Sequence, residues 1–196
     1  MKKQGQDRRS QRTRQALIHA LIELLSAKHY DQITIQDIVD QANVGRATFY
    51  AHYKNKDDLL KSGFERILDT LVQAIVLNEK DQCPFDTSML FHHAQGHYEL
   101  YRTLIWGSGF NLLTKEGHAS LSKKIEDRFA LLLTGKQSPS IPLSILSCSM
   151  AGALLIILKW WLENKMPYSP ERMDEIFQQL VMPGVRIALG LPETIE

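Results

Sequence analysis

The sequence predicts an all-α chain, with a small helix-turn-helix unit at its N-terminus and a larger helical domain behind it. Three observations predict this. Nearly every long segment repeats apolar residues at spacings of three and four, and β-branched alternation between turns is missing. A tight Asn43-Val44-Gly45 break separates two short helical segments. The charge is also lopsided: up to Lys56 there are ten Lys/Arg against five Asp/Glu, and after it thirteen against seventeen.

The first helix follows Ser10, with Leu17, Ala20, Leu21, Leu24 and Leu25 on one stripe, and "KHYD" at residues 28 to 31 ends it. The stretch before it, residues 1–9, is expected to be a flexible arm. The basic run of Arg8, Arg9, Arg12 and Arg14 fits an arm that tracks phosphates or a minor groove, and equally a solubilising tail. Thr34 with Asp37 three residues on predicts a reciprocal cap opening a helix of about two turns, in which Ile35, Ile38, Val39 and Ala42 face inward. Asn43 and Gly45 tolerate turn dihedrals, and Val44 between them is placed to plug the angle between two helices. A short helix then runs from Arg46 to about Tyr53. Asn55 and Asp58 repeat the capping pattern before a longer helix carrying Leu59, Leu60, Phe64, Ile67, Leu68, Leu71 and Ile75.

The chain loosens at "NEKDQCPFDTS", a candidate boundary. Beyond it, helices are expected at about 86 to 104 and 116 to 133, with "WGSGFNLL" as a Gly-broken segment between them. A long apolar helix over about 142 to 165 and a final one opened by Ser169 and Pro170 follow. The uncharged run Ile141 to Leu158 is eighteen residues long, the lower bound for a membrane span. Its three Ser, its Pro142 and the absence of a second such segment fit a helix buried on most of its circumference instead.

Two short helices joined by a Gly-containing turn fit a helix-turn-helix, which lays its second helix in a DNA major groove while the first braces it, and they also fit a short amphipathic helix whose polar face is only wetted. Arg46 suits a guanine edge, and Ala47 and Thr48 suit close contact with a thymine methyl or the backbone. Tyr50, His52 and Lys54 suit phosphate contacts that set register. Phe49 is the inward anchor.

These motifs resemble the DNA-binding domain of TetR/AcrR-family transcriptional regulators. The residues that carry the likeness are "TIQDIV" from Thr34, "ANVG" from Ala42, "TFY" from Thr48 and "YKNKDDLL" from Tyr53. The resemblance implies a domain over residues 1–56 and a helical effector-binding and dimerisation domain over 57–196. It also implies phosphate contacts from Thr34, Tyr50, His52 and Lys56, with base reading from Arg46, Ala47 and Thr48. Gly45 departs from the pattern, since the family often carries Ser or another small hydroxyl residue there.

The second domain is less diagnostic. The segment from Leu158 to Leu180 is similar to the last two helices of the family, which pack against a second subunit, and this implies an interface at Leu154, Leu158, Trp161, Ile176 and Leu180. Met89, His93, His97, Tyr101, Trp106, Phe110 and Met150 are the expected lining of a ligand cavity, although each also fits an ordinary core or surface position. His93 and His97 stand at i and i+4 beside His92, a spacing open to a metal, a pH-sensitive patch or plain helix surface. No HExxH or nearby Cys completes a metal set, so no metal or cofactor is expected. No GxSxG, P-loop or GxGxxG occurs, and no enzyme activity is expected.

Cys83 and Cys148 lie 65 residues apart without a CxxC, which fits a reducing cytoplasm, and "MKKQGQDRRSQRTRQ" lacks the apolar core of an export signal. The expected partners are double-stranded DNA, a small-molecule effector of unknown identity and a second copy of the chain, with no membrane. The expected function is a ligand-responsive repressor. The alternative is a regulator of the same fold acting mainly through a protein partner.

Overall fold

The computed structural model describes residues 2–74, 86–105, 108–133 and 138–191. Among them every regular element is helical: α1 (Lys2–Ala27), α2 (Ile35–Gln41), α3 (Arg46–Tyr50), α4 (Lys56–Ala74), α5 (Ser88–Gly96), α6 (Tyr98–Ile105), α7 (Ser108–Leu132), α8 (Leu143–Glu163) and α9 (Pro170–Leu189). A single 3-10 turn, Tyr30–Gln32, joins α1 to α2. The chain divides into two compact units, one made of residues 1–65 and 99–113, the other of 66–98 and 114–196.

The helical reading of the sequence holds, with three corrections. The helix α1 runs back to Lys2, so residues expected to be a flexible arm are helical. The segment expected as one helix over 86 to 104 is broken at His97, whose backbone leaves helical values (φ −123, ψ 31) directly after Gly96. The helix α7 begins at Ser108 rather than 116, because Gly109 and Gly117 are absorbed into it at the ordinary cost of glycine in a helix.

In the first unit, Leu17, Leu21 and Leu25 of α1 meet Ile38 and Val39 of α2, Phe49 of α3 and Leu59 and Leu60 of α4 in one apolar core, which Leu100 and Leu104 of α6 join. Phe49 is fully buried, and Val44 packs against the same cluster. The helices α1 and α2 run antiparallel. Lys28 near the end of α1 pairs with Asp37 in the first turn of α2 (3.0 Å). Five residues back along α1, Glu23 accepts from Gln41 at the far end of α2 (2.6 Å).

The first two residues of α4 lock the α1–α2 connection. Lys56 Nζ donates to the carbonyls of Tyr30 (2.9 Å) and Ile33 (3.0 Å) and lies 4.4 Å from the centre of the Tyr30 ring. The Tyr30 hydroxyl donates to Asp57. Burial, reinforced by that carboxylate, pushes the phenol's pKa well above its ordinary value.

The second unit is built around α8. Leu146, Met150, Ala151, Leu154, Leu158, Trp161 and Leu162 form its inner face. Phe91 of α5 meets Trp161 edge-on at 5.4 Å, and the Trp161 indole donates to the Tyr168 carbonyl (2.9 Å). Buried Thr87 donates its amide (2.9 Å) and hydroxyl (2.5 Å) to Asp174, fixing the start of α5 on α9. Ser169 caps α9 ahead of Pro170, and Gly190 closes it in the left-handed region (φ 65). Among the described residues α8 is long and apolar enough to cross a membrane by length and composition. Its inner face is taken up by the core of its own unit.

The Lys56 contacts make a prediction about stability. Lys56→Met keeps the aliphatic stem but leaves two inward carbonyls without their charged donor. The first unit should lose about 1–3 kcal/mol in urea unfolding at an unchanged m value. An unchanged midpoint would show that the two hydrogen bonds contribute nothing.

Candidate nucleic-acid interface

The second helix of the bihelical pair has only five residues, Arg46–Tyr50, too few to hold itself together in water. It borrows its order from both ends and from beneath. At the near end, Asn43 takes a left-handed backbone (φ 51), which asparagine tolerates, and the Val44 amide returns to the Val39 carbonyl (3.0 Å), closing α2. Beneath it, Phe49 is packed between the rings of Tyr50 (5.5 Å, nearly perpendicular) and Tyr53 (6.0 Å).

Gly45 is the cap of α3 and supplies no side-chain bond. Its backbone (φ −74, ψ 150) is one any residue adopts, and a Cβ there would find nothing nearer than Thr48 Oγ1 at 3.8 Å. The missing hydroxyl is therefore a matter of side chain alone.

What α3 turns outward is Arg46, Ala47 and Tyr50, with Thr48 half-buried. The Arg46 guanidinium lies 5.9 Å from the centre of the Tyr50 ring, one helical turn along. A planar cation and a phenol sit side by side on the exposed face, free of carboxylates among the described contacts. Thr34 is exposed at the head of α2. Its hydroxyl accepts from the Asp37 amide (3.2 Å), and the Asp37 carboxylate takes the Thr34 amide and hydroxyl (both 2.7 Å). Lys54 is exposed, and its backbone amide donates to Asp58, whose own amide is capped by Asn55 (2.8 Å). His52 is half-buried, with Nδ1 enclosed and without a protein partner among the described residues.

Lys56 is placed differently from the expectation. Its ammonium is directed at two carbonyls of its own unit, so a phosphate would compete with hydrogen bonds already made. Nothing in the spacing of "YKNKDD" distinguishes an inward lysine from an outward one, and the Tyr30–Asp57 contact that goes with it spans 27 residues.

The other expected residues scatter. Trp106 and the side chain of Phe110 lie outside the described residues. Tyr101 belongs to the first unit, whereas Met89, His93, His97 and Met150 belong to the second. Met89 is 47% exposed and Met150 is in the core, so the two do not share an environment. The His93 and His97 rings stack at 4.4 Å, and burial, then the neighbouring His97, lowers the His93 pKa. His92 turns away to pair with Glu171 (3.0 Å). Among the described residues no three His, Cys, Asp or Glu side chains gather as a metal set. An open groove of about 400 Å³ lies in the first unit, lined mostly by polar residues between Ser26 and Gln32 and on α6 that include none of the expected ligand positions.

Of the expected interface residues, Leu154, Leu158 and Trp161 are buried in the chain's own core and are not available to a partner. Ile176 is half-buried and Leu180 is 71% exposed. The correction is one of helical phase. The sequence shows that α8 is apolar around most of its circumference but not which stripe faces outward, and the exposed stripe carries Ile145 and Ile156.

The signature of bacterial regulatory proteins of the tetR family matches residues 17–62, and that of a transcriptional regulator C-terminal region matches residues 86–183, half of the chain. The chain belongs to the TetR family. Among its curated relatives is the uncharacterized HTH-type transcriptional regulator YxbF of Bacillus subtilis, 46% identical over 78 residues, which are 37% of this chain and 20% of that protein. The biofilm operon negative transcriptional regulator IcaR of Staphylococcus epidermidis is 30% identical over 70 residues, 36% of this chain and 38% of that protein. The chain thus spans well under half the length of the curated relatives it matches. A TetR transcriptional regulator from Streptococcus agalactiae superposes with a TM-score of 0.56 at 26% identity, over 91% of this chain and 98% of that one. The Thermus thermophilus repressor FadR, solved with lauroyl-CoA, shares the fold at 17% identity and a TM-score of 0.64, over 87% and 94%.

The Thr34–Asp37 box carries a pH signature within this TetR-family helix pair. The Thr34 backbone bond, then its hydroxyl and Lys28, lower the Asp37 pKa from 3.8 to about 2. A depressed carboxylate contributes stability above its unfolded pKa and loses it as pH falls through the folded one, so the contribution should fade between about pH 4 and 2. A carboxyl titration followed by NMR should place Asp37 near the bottom of that window, and Thr34→Val should move it back up. A midpoint at the ordinary aspartate value in the intact protein would contradict the geometry.

Proposed function

We propose that this protein is a sequence-specific DNA-binding transcriptional regulator, a repressor released from its operator by a small-molecule effector, acting in the cytoplasm as a homodimer. The observation that carries the reading is the construction of α3, in which buried Phe49 fixes the helix while Arg46, Ala47 and Tyr50 are presented outward. An arginine in the first turn of such a helix is suited to a bidentate contact with guanine O6 and N7, and the adjoining Ala47 and Thr48 to a thymine methyl. Exposed Tyr50, Thr34 and Lys54 supply phosphate contacts, with His52 as a half-buried fourth. Lys56 serves the fold instead.

The sign of regulation takes support from IcaR, a negative regulator that is 30% identical to this chain over 70 residues. The effector would bind within the second unit, to which Met150, His93 and His97 belong, and shift the population towards a dimer that cannot engage both half-sites. Two-fold pairing would use the outward apolar residues Ile145 and Ile156 of α8 and Leu180 and Ile187 of α9.

Two measurements test this. In binding selection from random duplexes, the wild-type chain should enrich one palindromic sequence. Arg46→Ala should weaken binding to it by about 1–3 kcal/mol per half-site and relax the preference at one base pair in each. If Arg46→Ala keeps both affinity and sequence preference, the assignment of the reading edge is wrong. In sedimentation, the wild-type chain should run as a dimer and the double variant Ile156→Glu/Leu180→Glu as a folded monomer. A variant that still dimerises would remove this face from the interface.

A further inference from the structure

Among the described residues the arginine side chains at the start of the chain hold no polar contact within the fold. Residues 1–16 carry six Lys/Arg and one acid, Asp7. Arg8, Arg9, Arg12 and Arg14 are exposed on α1, and among the described residues none of their guanidinium groups makes an ion pair or hydrogen bond. At 100° per residue, Arg8, Arg9 and Arg12 fall on the side of α1 opposite the buried Leu17, Leu21 and Leu25. They sit on a regular helix rather than a loose tail, and so in a fixed direction.

That direction follows from contacts within the first unit. Asp37 and Gln41, going forward along α2, meet Lys28 and Glu23, going backward along α1. Travelling towards the N-terminus of α1 is therefore travelling towards the end of α2 at which the turn delivers α3. At 1.5 Å per residue, Arg12 lies about 16 Å and Arg8 about 22 Å beyond the level of Glu23. The arginine face therefore projects past the end of α2 from which the turn delivers α3.

We propose that this N-terminal extension of α1 is a second DNA contact, a rigid cationic helix face that lies along the phosphates flanking each half-site and binds them without reading sequence. It rests on the DNA-binding reading above and adds a footprint that α3 cannot reach. A row of guanidiniums with no ion pair to break among the described residues is suited to displacing condensed counterions, whose release makes affinity depend on salt.

The test uses the full chain on two duplexes, both carrying the sequence that the wild-type protein selects. One extends to about 40 base pairs, and the other is trimmed to the selected core, each titrated between about 50 and 200 mM salt. On the long duplex the triple variant Arg8→Ala/Arg9→Ala/Arg12→Ala should show a log–log salt slope shallower than wild type by about 5.4, at 0.9 per phosphate and three phosphates from each protomer of the bound dimer. The triple lysine variant should restore it, and on the trimmed duplex all three proteins should bind alike. Equal slopes on the long duplex, with wild type binding tightly, would overturn the proposal while leaving the helix-turn-helix reading intact. A loss that persists on the trimmed duplex would also overturn it, by moving the contact into the core site. Should the wild-type chain select no sequence and show no salt-dependent binding, both readings fall together.

Discussion

The ammonium of Lys56 rests on the carbonyls of Tyr30 and Ile33 while Asp57, the next residue, takes the phenol proton of Tyr30, and through these contacts the start of α4 grips the link between α1 and α2. A half-buried charge is tolerated there because its donors meet oxygen acceptors and the Tyr30 ring face. The consequence is mechanical. The helix α2 cannot tilt on α1 without pulling on α4, and α3 is fastened to α2 through the Val44 amide and to the shared core through Phe49. A five-residue helix thus acquires a defined orientation that it could not hold alone. Arg46 and Ala47 stand exposed on it, outside the shared core.

The same division of labour runs through the second unit. Thr87 on Asp174 and Trp161 on the Tyr168 carbonyl fix α5, α8 and α9 with polar bonds made inside the unit, leaving Ile145, Ile156, Leu180 and Ile187 outward and uncommitted. Apolar residues that a folded unit does not use are the ones open to a second copy of the chain. The most basic stretch of the chain likewise contributes no ion pair to its own unit among the described residues.

Local signals were the legible ones. The capping pair Thr34–Asp37, the Asn43–Gly45 turn, the inward Phe49, the Asn55–Asp58 cap and the Ser169–Pro170 start all depend on residues within four positions of one another, where sequence spacing maps directly onto geometry. What was illegible depends on distant partners. Lys56 has the composition of a phosphate contact and is turned inward by carbonyls 23 and 26 residues away. Leu154, Leu158 and Trp161 lie on a helix so apolar that periodicity cannot choose its inner face. The expected ligand set joined residues that the fold distributes between two units. The break at His97 follows a glycine, a residue that α7 carries twice without interruption, so glycine alone did not mark it.

The central claim is that α3 is a reading head presented in pairs. Hydroxyl-radical footprinting of the full chain on the duplex it selects addresses this directly. Two protected segments related by a dyad, on one face of the duplex and centred one helical turn or a multiple of about 34–36 Å apart, are the result the construction of α3 requires. A single unpaired footprint, or uniform protection that does not depend on sequence, would contradict it.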